Sequence, residues 1–351
     1  MPSIREVAKE AGVSIATVSR VINGNGSVAL DLKNQVLAAI DRCDYLPSVG
    51  RRTCDSVALV YAGQFSPGSP YDSACIEGMI NVMRKSGHDL VVIDLVRDKL
   101  PDENYRQFFA RKGICGAIVR STASDREVLT KMALEPFPLV VLGDHFEHPT
   151  LPFVYASSRN ASREAMEHLI SLGHRNIAFA ASDCEDGDHG DRFAAYCDVM
   201  KTAGLFKEEV ISRIPPHRMD GAQLLRKLMA MPNPPTGVFA ADPFIAIGLI
   251  NEAHSLGIKV PSELSIVGFD DTDTRSLLYP RMTAICQDSF LLGSVAFECV
   301  VQLIKGDSHL VKASYVQTAW LEINSTTAPP PAERFRVLTN GLRLPTLGKV
   351  E

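Results

Sequence analysis

No apolar run in this chain approaches the roughly 18 residues that a membrane-spanning helix needs. The opening Met1-Pro2-Ser3-Ile4-Arg5-Glu6 has none of the apolar character of a secretory leader, so a cytoplasmic protein is expected. Eight cysteines are scattered at 43, 54, 75, 115, 184, 197, 286 and 299 without a single CxxC pair. That spacing excludes a zinc ribbon or a redox dithiol, and a 38.2 kDa chain has core enough to leave its thiols reduced. A phosphate-cradling GxxxxGK is missing, and no serine sits in a nucleophile elbow. His145-Phe146-Glu147-His148 and His189 have no ordered third ligand and stand near Pro149 and Pro152, which reads as a polar loop rather than a metal site. Catalytic residues, bound metal and cofactor are therefore not expected.

A positive charge balance is lacking as well: 36 Lys/Arg against 41 Asp/Glu give a net charge of −5, which argues at first against nucleic acid. The distribution corrects that impression. Residues 1–52 hold Arg5, Lys9, Arg20, Lys33, Arg42, Arg51 and Arg52 against Glu6, Glu10, Asp31, Asp41 and Asp44, a small positive excess, so the acidic surplus lies wholly in the remainder. A mildly basic head on an acidic body suits a protein that meets DNA with one end.

The head reads as three short helices. Ser3-Ile4-Arg5-Glu6 is a capping box, and Ile4, Val7, Ala8 and Ala11 follow at helical spacing. Gly12 permits a left-handed turn, and Ser14 can cap a second helix from Ile15 to about Ile22. A third, about Leu30 to Cys43, closes the bundle with Val36, Leu37 and Ile40, which makes a helix-turn-helix. The second helix turns small, polar and basic residues outward. In this docking mode Ile15 and Ala16 are expected against base edges and thymine methyls, and Arg20 against guanine or phosphate. Ser14, Thr17, Ser19 and Asn23 complete the face as polar contacts, mainly to phosphate. A helical hairpin used for protein docking is the plainer alternative.

The run Ile4-Arg5-Glu6-Val7-Ala8-Lys9-Glu10-Ala11-Gly12-Val13-Ser14-Ile15-Ala16-Thr17-Val18-Ser19-Arg20-Val21-Ile22-Asn23 resembles the signature of the lac/gal repressor family, and Asp44-Tyr45-Leu46-Pro47 resembles the end of that family's third helix. Further blocks are similar along the body: His168 to Ala178, Asp191 to Tyr196, Ile258 to Asp271 and Pro280 to Ile285. The linker departs from the family. Ser48 replaces an Asn, Arg51 an Ala, and no Leu is present to wedge into the minor groove, so Arg51 and Arg52 are expected to grip phosphates or a narrow groove instead. A solvated basic linker is the alternative.

From Val57 onward, apolar strand-like runs alternate with amphipathic stretches such as Asp72–Gly87, Asn160–Gly173 and Phe244–Gly257. Buried strands alternating with helices imply parallel sheets covered on both faces, here two Rossmann-like subdomains with a ligand cleft between them. The expected fold is thus an all-α helix-turn-helix head plus an α/β body of the periplasmic-binding-protein kind. Its parts are a DNA-binding domain at 1–46, a hinge at 47–56, an effector and dimerisation domain at 57–328, and a flexible tail at 329–351 whose Gly341, Pro345 and Gly348 break any heptad. Within the body one subdomain is expected at about 57–156 and 288–318, the other at about 157–287 and 319–328.

The resemblance implies that Arg192 and Asp270 clamp an effector, a guanidinium fork pairing with vicinal oxygens and a carboxylate accepting from hydroxyls. Asp242, Tyr155, Phe244, Gln287 and Phe290 are further pocket candidates, each with core packing as its alternative. Gly143, Ala156 and Pro216 stand where relatives place polar or aromatic pocket residues. The function implied is a sequence-specific regulator, foremost a repressor of carbohydrate-utilisation genes. It would bind a palindromic operator as a homodimer, under control of a sugar or sugar phosphate. A metabolite sensor with weakened DNA binding, an activator, or a purine-type corepressor-dependent regulator are the alternatives.

Overall fold

The computed structural model describes residues 3–22, 28–43, 45, 55–63, 67–122, 125–145, 148, 151–183, 187–306, 314–338 and 341–346. Three helices open the chain: α1 (Ile4–Glu10), α2 (Ile15–Ile22) and α3 (Leu30–Arg42). The capping box forms as the sequence requires, with Ser3 Oγ accepting from Glu6 N and Glu6 Oε2 accepting from Ser3 N at 2.7 Å. Gly12 takes φ +59°, which a side chain would resist, and turns the chain into α2. There Ser14 Oγ accepts from Thr17 N at 3.1 Å and caps the helix. Val7, Ala8, Ala11, Val18, Val21, Val36, Ala39 and Ile40 close into one small core.

The body follows as β1 (Ser56–Tyr61), α4 (Pro70–Ser86), β2 (Asp89–Asp94), α5 (Leu95–Asp98), α6 (Tyr105–Lys112), β3 (Ile114–Arg120), α7 (Arg126–Ala133), β4 (Leu139–Leu142) and β5 (Phe153–Ser157). Then come α8 (Arg159–Ser171), β6 (Ile177–Ser182), α9 (Gly187–Thr202), β7 (Ile211–Ile214), α10 (Arg218–Ala230), β8 (Gly237–Ala240), α11 (Pro243–Ser255), β9 (Ser265–Asp270) and β10 (Thr283–Cys286). The chain closes with α12 (Ser289–Ile304), β11 (Ser314–Thr318), β12 (Trp320–Glu322), β13 (Phe335–Val337) and β14 (Arg343–Pro345).

Two six-stranded sheets result, ordered β11-β5-β4-β3-β1-β2 and β12-β10-β9-β8-β6-β7. All neighbours are parallel except β12, which runs antiparallel to β10. Both faces of each sheet are buried, as in β1, where Val57 and Leu59 pack on one side and Ala58 and Val60 on the other. In the first sheet α4 and α12 cross at contact of their backbones. A Cβ on Gly78 would lie 2.0 Å from Phe290 O, and one on Gly293 would lie 2.0 Å from Cys75 O. That close crossing fixes the N-terminus of α4 at the carboxyl end of the sheet.

The chain passes between the sheets at three short connectors: Ser158, Gln287-Asp288 and Ala319. They lie side by side, Ala319 N donating to Ser157 O at 3.1 Å and Asp288 N to Gln317 Oε1 at 2.9 Å.

One expectation is corrected here. Residues 329–338 and 341–346, expected within a flexible tail, instead fold back on the second subdomain, where β13 pairs with β14. Val337 is buried in that subdomain's core, and Arg343 pairs with Glu263 at 2.9 Å while stacking on Phe335. Gly341 at φ +82° and Pro345 do break a helix, but here they serve a turn and an edge strand.

Candidate DNA face and effector cleft

On α2 the side chains expected to read DNA stand outward. Ser14, Ile15, Ala16 and Arg20 are exposed, and Thr17 and Ser19 are half-buried. Ile15 is 45 % exposed, which in so small a domain is a contact surface rather than core. Ser14 and Thr17 hydroxyls bond each other at 2.9 Å at the helix start. Asn23, Arg51 and Arg52 lie outside the described residues. The opposite side of the head rests on the body: Asp41 of α3 accepts from the side-chain amides of Asn104 and Gln107. The face bearing Arg20 is not part of that seam.

The second site lies where the carboxyl ends of both sheets face each other, the usual place for a ligand in open α/β sheets. Its cavity volume is about 160 Å³. On the first wall, Asp72 in the first turn of α4 pairs with Arg120 at the end of β3, Nε to Oδ1 at 2.9 Å. Arg120 Nη1 also donates to Leu142 O at 3.0 Å, and its guanidinium lies 4.6 Å from the Tyr71 ring centre. Asp72 accepts further from Ser69 Oγ at 2.8 Å and Tyr61 Oη at 3.3 Å. Gly143 and Ala156 add smooth backbone and a methyl group where a larger side chain would fill space.

On the second wall, Arg192 projects from α9 and is 3 % exposed. Its Nη2 pairs with Asp188 one turn earlier, its Nη1 donates to Ala241 O at 2.6 Å, and its guanidinium lies flat 3.3 Å from the Phe269 ring centre. Asp188 also accepts from Ser158 Oγ. Asp242 follows β8 and caps α11, Oδ1 accepting from Ile245 N at 3.0 Å. Asp271 follows β9; Gln287 Nε2 donates to its Oδ1 at 2.5 Å. Burial pushes the Asp271 carboxyl up to about 6, with nearby Arg192 opposing. Tyr155 donates its hydroxyl to Asp191, and burial raises that phenol further. Phe244, Pro216, His189 and His217 complete the lining.

The structure therefore brings Arg192, Asp242, Tyr155, Phe244 and Gln287 to one cleft. It does not bring Asp270 there. Asp270, the last residue of β9, points to the other side, where it accepts from Thr274 N at 3.0 Å, Arg275 N at 3.2 Å and Arg275 Nη1 at 2.8 Å. Successive strand residues face opposite ways, so its neighbour Asp271 lines the cleft instead. Phe290 is also elsewhere, 39 % exposed on α12 in a shallow depression with Ala74, Glu77 and Trp320. Sequence reasoning missed Asp72, Arg120, Tyr71 and Asp188; the last had a signal, an aspartate four residues before an arginine on one helix. Among the described residues no three His, Cys, Asp or Glu side chains gather to hold a metal, and no helix is long and apolar enough to cross a membrane.

Comparison with known proteins agrees with this geometry. Residues 3–48 match the family of bacterial regulatory proteins, lacI family, and residues 166–325 match the periplasmic binding protein-like domain. The catabolite control protein A of Priestia megaterium is 26% identical over 319 residues, covering 90% of this chain and 96% of that protein. The transcriptional repressor PurR of Photobacterium profundum is 26% identical over 313 residues, covering 88% of this chain and 94% of that protein. Among solved structures, the transcriptional regulator CelR in complex with cellobiose superposes with a TM-score of 0.66 at 26% identity, over 93% of this chain and all of that one. A reading head of this signature, a two-sheet body and relatives that span both place the function in regulation rather than catalysis: the chain joins a lacI-family DNA-binding domain to a periplasmic binding protein-like domain, the make-up of a DNA-binding regulator controlled by a small-molecule effector.

Proposed function

We propose that the protein is a homodimeric cytoplasmic repressor that holds a palindromic operator and lets go when a small hydroxylated compound of sugar type fills the cleft. The observation that carries this reading is the pairing of an exposed, polar and basic α2 face with a buried Arg192 fork in a concave cleft between the two sheets, the usual setting of a small-molecule site. One such head spans few base pairs, so specific binding calls for two heads related by a two-fold axis. Ser14, Ile15, Ala16, Thr17, Ser19, Arg20 and Asn23 serve as the reading face, with Arg51 and Arg52 on the backbone or minor groove. Arg192, Asp242, Tyr155, Phe244 and Gln287 serve the effector, and Asp271 takes the place first expected for Asp270. That relatives include a protein named as a repressor and one solved with cellobiose supports the reading.

Effector and operator are coupled through the state of the cleft: the change in operator affinity equals the ratio of effector affinities for the two states. Binding of the full chain to palindromic DNA, with and without a sugar panel, tests this. Specific binding released by one compound is expected. Replacing Arg20 with Ala should remove specific binding, about 1–3 kcal/mol for a lost bidentate base contact, and leave a weak salt-sensitive remainder. Unchanged operator affinity in that variant would sink the assignment of α2.

A further inference from the structure

The cleft is unequal in charge. Its lining carries the carboxylates Asp72, Asp188, Asp242 and Asp271 against the guanidinium groups of Arg120 and Arg192. Each guanidinium already faces a carboxylate, Arg120 on Asp72 and Arg192 on Asp188. Asp242 and Asp271 are thus the surplus, and neither forms an ion pair among the described residues. Both are about nine-tenths buried, at 9 % and 8 % exposure, where a carboxylate without a cation is costly.

The amide of Gln287 points the same way. It is 5 % exposed, and its Nε2 is committed to Asp271 Oδ1. That bond fixes the orientation of the amide, and its Oε1 meets no donor although it is buried against the cleft. Asp242 offers only Oδ1 to its helix, so its second oxygen is open too. Around Asp242, Asp271 and Gln287 the open groups are acceptors, the second Asp242 oxygen and the Gln287 amide oxygen. The carboxyl of Asp271, pushed up to about 6 by burial with Asp270 and Asp242 adding to the rise, reflects the same shortage of positive charge.

We infer that the effector presents a protonated amine flanked by hydroxyls to Asp242, Asp271 and Gln287, so that the cleft takes an amine-bearing polyhydroxy compound, of the amino-sugar kind, and refuses a phosphorylated one. The inference rests on the cleft being the effector site. A phosphate needs donors, and here it would meet two surplus carboxylates and two guanidinium groups already engaged. An ammonium supplies three donors and one charge to Asp242, Asp271 and Gln287, which share no cation among themselves.

The test uses the full chain and matched hexose triples: the 2-amino-2-deoxy sugar, the parent hexose and the hexose 6-phosphate, for glucose, galactose and mannose. Binding is measured by calorimetry and thermal shift at about pH 7.5, above the Asp271 titration near 6. One amino sugar should bind at least about tenfold tighter than its parent hexose, equivalent to about 1.4 kcal/mol, and its phosphate should not bind. In Asp242→Asn, which keeps a capping side chain on α11, that ratio should fall towards one and the thermal midpoint of the ligand-free protein should rise. Asp271→Asn should shift both readouts in the same direction. A phosphorylated sugar binding as well as its parent, an amine preference untouched by either variant, or a falling midpoint in both would overturn the assignment. Binding of neutral hexoses that needs Arg192 but shows no amine preference would overturn the amine and keep the effector cleft. Failure of all three classes would overturn both.

Discussion

The two walls of the cleft follow one plan and finish it differently. Each carries an arginine clamped by an aspartate, all four side chains nearly buried. On the first wall the partners are 48 residues apart, and the pair ties α4 to β3, with Leu142, Ser69 and Tyr61 bound to the same knot. On the second, both partners sit one turn apart on α9, so the ion pair itself stays within one helix, with Ser158 and Ala241 O bonded to its ends and the guanidinium held over Phe269 at the cleft. The same chemical pair holds the frame in one place and presents a recognition surface in the other. What sets its role is which elements it connects.

Breaking that contrast should have its largest effect on the first wall. Replacing Arg120 with Leu strands a buried Asp72, and urea unfolding should show a loss of about 3–5 kcal/mol. A loss within about 1 kcal/mol, the scale of an exposed pair, would mean that the knot is not structural. The second wall depends for its backing on the β13–β14 hairpin. Val337→Ala, which empties part of the core beneath α10, should cost about 1.5–3 kcal/mol by the same measurement. A tail that were free in solution would not register the change.

Arg192→Lys sharpens the comparison, because it keeps a charge beside Asp188 while removing the planar fork. The effector concentration that releases operator should rise about tenfold, equivalent to about 1.4 kcal/mol of binding, with the unfolding midpoint little moved. A purely structural Arg192 would give the reverse pattern.

The remaining effect is a pH slope confined to the second wall. Asp271 titrates near 6 in the folded chain, against about 3.9 when unfolded. Its folded value is the raised one, so in that window the folded state holds the extra proton. The stability it contributes is complete below about pH 4 and is lost as pH rises through about 6. Arg192 lowers this titration and Asp242 and Asp270 raise it. Asp271→Asn should flatten the slope between those limits in thermal melts, and a slope that persists would assign it to another group.

Much of this was legible in the chain because the forces involved are local. The capping box at Ser3 and Glu6, the turn at Gly12 and the cap at Ser14 need only neighbours in sequence, and the reading face of α2 follows from its period. The cleft was legible where an acidic residue stands between a strand and the helix it caps, as Asp242 stands between β8 and α11. It failed at Asp270 and Asp271, since a strand end displaced by one residue exchanges the two faces, and nothing in Phe-Asp-Asp fixes that end. The Asp72–Arg120 knot was invisible for a different reason: it depends on β1 and β3 lying side by side, which sets Tyr61 opposite Arg120 and no local pattern announces. The hairpin was lost because glycine and proline in the tail were weighed only against a helix.

The three connectors between the sheets carry a mechanical consequence. Ser158, Gln287-Asp288 and Ala319 are short and hydrogen-bonded in a row, so they act together as a strap hinge. Such a joint bends about one line and resists sliding or torsion. The body is left with a single free coordinate, the opening angle of its cleft. On the function proposed above, compounds of different shape would differ in how far they open or close this one angle and not in which direction, so the output would be one number, graded by fit.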